Sequence, residues 1–243
     1  MSHDAVIASN VKQFRQNPYP GRGMIIGLSP DSRKYCQVYF ITGRSVNSRN
    51  RILVREGEAV KTKAFDESKM SDPSLIIYYP VRVWRGAHIV TNGDQTDTIA
   101  AALEKGGSFE GALAIREFEP DEPNFTPRIS GMVDLNDQGN AYRLSILKSL
   151  NHDPRVCIRS YYNYSQAIPG MGHCLHTYQG NGDPLPSFLG DPYLMPLSGE
   201  IEETARFYWD LLDAANRVCL LAKEIDRETG ISRIKVINRL EHT

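Results

Sequence analysis

The sequence predicts an α+β fold built mainly from antiparallel strands, and three observations carry that expectation. Short runs rich in β-branched and aromatic residues, at Met24 to Leu28, Val38 to Ile41, Ile52 to Val54, Ala59 to Phe65 and Ala87 to Thr91, are joined by links too short to hold a crossover helix. Turn-forming residues separate them, as at Pro30-Asp31, Glu56-Gly57-Glu58 and Arg85-Gly86. Helical spacings fall in blocks near the start, around 98–118 and after Gly199, where strand-helix-strand units would alternate. A chain of 243 residues is long enough to bury a substantial core, and one domain, 1–243, is expected.

Taken in order, Asp4 to Gln16 carries Val6, Ile7, Val11 and Phe14 at helical spacing, and Pro18 and Pro20 end it, so residues 1–20 read as a helical cap. Gly21-Arg22-Gly23 leads into the Met24 to Leu28 strand and sets Arg22 at its entrance. Val38 to Ile41 and Ile52 to Val54 read as a hairpin whose tip holds Arg44, Arg49 and Arg51 among Ser45, Asn47, Ser48 and Asn50. Guanidinium groups this close repel one another unless an anion joins them, and each presents a fork that fits a phosphate or carboxylate. No acidic side chain neutralises the loop, so an anion site is favoured over a merely solvated turn.

Asp66 to Ser74 reads as polar loop, and Leu75 to Trp84 as a strand whose alternation puts Tyr78, Arg82 and Trp84 on one face. Thr91 to Thr98, with Asn92, Asp94, Gln95, Thr96 and Asp97, is a polar strand-to-helix link suited to aim side chains and amides at a ligand, or to cap the helix through Thr96 or Asp97. That helix stops at Gly106-Gly107, and Phe109 to Phe118 suggests a second. Asn124 to Arg128 enters the strand Ile129 to Leu135, and Asp137 to Asn140 turns it into Ala141 to Leu147. Val156 to Tyr161 and Cys174 to Tyr178 are short strands, and 187–196 is irregular. From Gly199, Ile201, Ala205, Tyr208, Leu211, Leu212, Ala215, Val218, Ala222 and Ile225 share one stripe of a long helix stopped by Gly230. Phe207, Trp209 and Leu221 lie off it and are expected to meet another element or subunit, and 231–239 adds an edge strand.

With 28 basic against 29 acidic side chains, no global field draws the protein to nucleic acid or an anionic membrane, so neither is an expected partner. The widely spaced Cys36, Cys157, Cys174 and Cys219, the lack of a basic-then-apolar leader and the absence of any spanning apolar run point to a cytoplasmic setting. The glycines match no nucleotide-loop fingerprint and no Gly-x-Ser-x-Gly elbow occurs. Strand alternation would point His173 away from Cys174, and Ser145 stands where a calcium loop from Asp134 needs glutamate. The expected site is polar, metal-free and without a cofactor. Tyr78, Asn92 to Asp97 and the arginines suit a phosphorylated, amide-bearing substrate.

Gly21-Arg22-Gly23, Thr42-Gly43-Arg44-Ser45 through Asn50-Arg51, Tyr78 with Arg82, Thr91-Asn92-Gly93-Asp94-Gln95-Thr96-Asp97 and Asn124-Phe125-Thr126-Pro127-Arg128 follow in the order seen in archaeal-type IMP cyclohydrolases, which the chain resembles over about 21–180. The resemblance implies a four-layer α/β/β/α sandwich like that of N-terminal nucleophile hydrolases. It also implies closure of 5-formamidoimidazole-4-carboxamide ribotide to inosine monophosphate in purine synthesis. By matching positions it places Arg22, Arg44, Arg51 and Arg128 on the phosphate and ribotide, with Asn50, Asn92 and Thr96 in the same binding set, and Tyr78 and Asp97 as proton-transfer candidates. A purine ribotide is the expected partner, in a homo-oligomeric enzyme, with 198–243 a helical extension outside the resemblance. An amide hydrolase of the same fold and a non-catalytic nucleotide- or RNA-binding module stand as the alternatives.

Overall fold

Two antiparallel sheets face each other across an apolar core in the computed structural model, which describes residues 2–70, 73 and 76–241. Leu75, which opens the expected strand, Ser71, Asp72 and Ser74 of the expected polar loop, and Met1, His242 and Thr243 lie outside the described residues. The first sheet runs β11 (Tyr193–Pro196), β10 (Met171–His176), β1 (Arg22–Leu28), β2 (Lys34–Thr42), β12 (Arg217–Asp226), β13 (Ser232–Asn238). The second runs in chain order, from β3 (Arg51–Glu56) and β4 (Ala59–Ala64) through β5 (Val81–Trp84), β6 (Ala87–Thr91) and β7 (Arg128–Asp134) to β8 (Tyr142–Leu150) and β9 (Asp153–Tyr164).

Alternation along each strand builds the layers. On β2, Tyr39 and Ile41 enter the core between the sheets, while Val38 and Phe40 face outward onto α1 (His3–Gln16) and α5 (Ile201–Leu211). On β6 and β7, Val90, Ile129 and Val133 point inward, and Ile89 and Met132 pack against α3 (Gln95–Glu104) and α4 (Phe109–Ala114). Where β1 and β10 pair, Gly27 lies opposite Gly172, and a Cβ on Gly27 would collide with the Met171 carbonyl. Among the described residues no helix is long and apolar enough to cross a membrane.

Four expectations are corrected. The arginine segment is not a hairpin tip. Both edges of β2 are occupied along its length by β1 and β12, so β3 has no free edge to join and the chain crosses to the other sheet instead. The crossing contains a single helical turn, α2 (Val46–Arg49), capped by Ser45 Oγ accepting the Ser48 amide at 3.0 Å. The long C-terminal helix stops at Leu211. Asp213 then draws the Ala215 and Asn216 amides into a turn, and 217–226 becomes a strand in the interior of the first sheet. Val218 to Ala222 is buried on both faces, and a run apolar all round has no period to separate strand from helix.

The strand before Trp84 begins only at Val81, because Thr62 inserts its hydroxyl between Ile76 and Tyr78, accepting from the Tyr78 amide and lying 2.6 Å from the Ile76 carbonyl. Tyr78 is therefore buried apart from the strand face that carries Arg82. Finally, α3 starts at Gln95, so Thr96 and Asp97 lie inside the helix and do not cap it. Of the residues off the expected long stripe, Leu221 belongs to the core between the sheets, and the Arg217 guanidinium covers the Trp209 ring at 4.6 Å. The expected edge strand is present as β13, whose Asn238 brackets Leu53 of β3 through both its amide and carbonyl.

Candidate active site

At one end of the two sheets lies a cavity of about 280 Å³ lined by Arg22, Arg44, Arg51, Ser45, Ser48 and, on its other walls, Tyr19, Asp121, Asn124, Thr126 and Tyr178. Its cationic side is set by strand ends. Arg22 opens β1 after Gly21, whose φ of +76° and close fit against Thr177 and Tyr178 require glycine. Arg51 opens β3 directly after α2.

Arg22 is held by Glu119, Nη1 to Oε2 at 3.1 Å, with both side chains largely buried. Burial opposes the Arg22 charge, yet Glu119 and the phenols of Tyr78, Tyr178 and Tyr39 hold its pKa above the ordinary range. Burial also pushes the Glu119 carboxyl upward, against the pull of Arg22 and Arg128. Arg51 donates from Nε to the Ser48 carbonyl at 3.0 Å, but its Nη1, in a residue only 3% exposed, has no hydrogen-bond partner among the described residues. A buried guanidinium nitrogen left open beside a polar cavity costs stability until it is paired, and an acceptor in the cavity would pair it. Arg44 is exposed at the rim, its guanidinium 4.7 Å from the Tyr19 ring centre and bonded to Asn181.

The rest of the lining is acidic and hydroxylic. Asp121 accepts the Thr126 amide at 2.6 Å and the Thr126 hydroxyl, which also bonds Tyr178, and Tyr178 stacks on Tyr19 with centroids 5.9 Å apart. Beneath the arginines, the Tyr78 and Tyr39 hydroxyls meet at 2.7 Å. Burial raises the Tyr78 pKa, while Arg22 and Arg51 favour its phenolate.

The structure thus brings Arg22, Arg44 and Arg51 to one cavity, with Tyr78 close enough to feel two of them. The other expected site residues are placed differently. Asn50 is bonded on both sides to Asp66, at 2.7 and 2.8 Å, and so fixes the start of β3. Asn92 is fully buried, donating to the Pro127 carbonyl and accepting from the Ile129 amide and Gln95. Thr96 bonds Thr91 and the Gly93 carbonyl. Arg128 is engaged by Asp94 at 2.7 Å and Gln95 at 2.9 Å. Asp97 sits on the surface in a 2.5 Å pair with Arg82 and does not line the cavity. His173 and Cys174 do face opposite ways: His173 bonds Tyr142 at 2.6 Å, and Cys174 joins the helix-side core.

Sequence reasoning passed over Tyr39, Asp121, Thr126, Tyr178 and Glu119. The Asn124 to Arg128 motif is a signal for Thr126 as well as for its arginine. Asp121 and Glu119 precede that motif in a loop whose spacing carries no period, and Tyr39 is indistinguishable in sequence from a core tyrosine.

A family model described as IMP cyclohydrolase-like protein matches residues 19–229, a span that reaches past residue 180 and takes in β12. The chain is 37% identical over 120 residues to an IMP cyclohydrolase of Methanopyrus kandleri, covering 48% of this chain and 59% of that protein. It is 29% identical over 125 residues to an IMP cyclohydrolase of Methanosphaera stadtmanae, covering 50% of this chain and 60% of that one. The aligned part thus spans about three fifths of the length of these curated relatives.

Proposed function

The chain belongs to the IMP cyclohydrolase-like family, and from that premise we propose that it closes 5-formamidoimidazole-4-carboxamide ribotide to inosine monophosphate with loss of water. The observation that carries this reading is the open, buried Nη1 of Arg51 on a cavity shared with Arg22 and Arg44. That set suits a phosphomonoester, with Ser45 and Ser48 adding neutral donors. Asp121 and Asn124, also in the lining, offer acceptors to ribose hydroxyls.

In this reading the arginines anchor the ribotide so that its carboxamide nitrogen meets its formyl carbon, and positioning supplies most of the rate. Addition gives a tetrahedral carbinolamine, which expels water to leave the aromatic ring. Tyr78 is assigned the proton transfer. Asn50, Asn92, Thr96 and Arg128 act from outside the cavity by holding the segments that carry Arg51 and Thr126. Asp97 is left with its Arg82 pair.

The helices flanking both sheets are read as the four-layer α/β/β/α arrangement of N-terminal nucleophile hydrolases, which superposition on such an enzyme tests. A homo-oligomer in the cytoplasm completes the proposal, and sedimentation checks the first part. The deciding experiment incubates the purified protein with the formamido ribotide and follows inosine monophosphate. No acceleration over buffer rejects the reading.

A further inference from the structure

The two hydroxyls that meet below the cavity come from a strand of the first sheet and from the segment that leads into the second. Tyr39 rises from β2, fully buried in the core between the sheets, and Tyr78 from the segment ahead of β5. Their oxygens lie 2.7 Å apart, so one proton is shared along that line. Geometry elsewhere breaks the symmetry. Tyr78 is fixed at its backbone by Thr62, which accepts from its amide at 2.9 Å and donates to its carbonyl from its own amide at 2.9 Å. Burial raises the pKa of both phenols; at Tyr78 it is opposed by Arg22, Arg51 and the Tyr39 bond and reinforced by Glu119, whereas at Tyr39 Arg22 opposes it and the bond to Tyr78 reinforces it. Negative charge on the pair is therefore better placed on Tyr78, and Tyr39 keeps its proton and donates it.

We propose that Tyr39 is a positioning residue for the proton transfer assigned to Tyr78: its hydroxyl donates to the Tyr78 oxygen, leaving the Tyr78 proton for the substrate and stabilising the phenolate that forms. This rests on the cyclohydrolase reading and names a residue that reading does not need. As the new C–N bond forms, the Tyr78 proton passes to the formyl oxygen, which becomes the carbinolamine hydroxyl. The Tyr78 phenolate, held by the Tyr39 bond and the two guanidinium groups, then takes a proton from the former carboxamide nitrogen. Each proton lost is recovered, and no other reactant is required.

The test uses the full chain with Tyr39→Phe, which keeps the ring in the core, and with 3-fluorotyrosine placed at position 39 as a stronger donor. Tyr39→Phe is expected to lower kcat about tenfold, the worth of one such bond, with KM within about twofold. The alkaline limb of the kcat profile should move up in pH in Tyr39→Phe and down with the fluorinated residue, an ordering that a packing role would not produce. The second readout is independent of turnover. Titration of ring-labelled tyrosines by NMR, with the Tyr78 signal assigned from Tyr78→Phe, should show the Tyr78 midpoint rising in Tyr39→Phe. An active wild type with kcat, alkaline limb and Tyr78 midpoint all unchanged in Tyr39→Phe overturns the role of Tyr39 alone. A wild type that forms no inosine monophosphate overturns the assigned reaction and the catalytic role with it, whatever the NMR midpoint does.

Discussion

Replacing Arg51 by methionine separates binding from folding, because the two effects are expected to have opposite signs. In the folded protein the guanidinium is 3% exposed, makes one bond to the Ser48 carbonyl and leaves Nη1 open. Methionine forfeits that bond, worth ~1 kcal/mol, and removes a buried unpaired donor that costs ~1–3 kcal/mol, so unfolding stability should be unchanged or up to ~2 kcal/mol higher. A charge-assisted bond to phosphate is worth ~1.5–3 kcal/mol, so kcat/KM for the ribotide should fall between about 10-fold and about 150-fold. Arg51→Lys, which keeps the charge and loses the fork, should lie between. Chemical denaturation and steady-state kinetics measure the two sides. A kcat/KM within threefold of wild type, or a fall in stability as large as the fall in transition-state binding, would refute the assignment of Arg51 to the anion.

Arg44→Ala should cost less, about 10-fold in kcat/KM at most, because the side chain is exposed and already shared with Tyr19 and Asn181; a larger loss would put the anion at the rim. Lys223, 1% exposed with Nζ unpartnered among the described residues, has its pKa lowered by burial from 10.5 to about 7, with Glu58 opposing and Arg55 assisting. The unfolded chain then holds a proton that the folded one lacks between these values, so stability rises with pH from about 7 to about 10.5, the full span being worth at most about 5 kcal/mol. Lys223→Met should accordingly stabilise most at pH 7 and below, with the gain shrinking toward pH 10.5; a gain independent of pH in denaturant melts would contradict this. Gly27→Ala drives a methyl into the β10 backbone and should destabilise by at least ~2 kcal/mol in the same melts, whereas a neutral result would mean that β1 and β10 separate without strain.

Much of the fold was legible because it is local. Strands β1, β4, β6 and β7, helix α1 and the edge strand β13 follow from alternation, helical spacing and turn residues that neighbours in sequence settle among themselves. The same holds for the cationic character of the Arg44 to Arg51 segment, since three arginines without an acid among them repel one another in any fold. What the sequence by itself determined, then, is the antiparallel α+β class and three arginines that want an anion. Tertiary structure decided the rest. Val218 to Ala222 became a strand because two layers bury both its faces, and β3 joined the second sheet because β1 and β12 had taken both edges of β2. The meeting of Arg22, Asp121 and Tyr178 at one cavity, with Glu119 paired to Arg22 behind it, joins residues up to 156 positions apart, from Arg22 to Tyr178. Such contacts are set by how sheets stack, which no local period records.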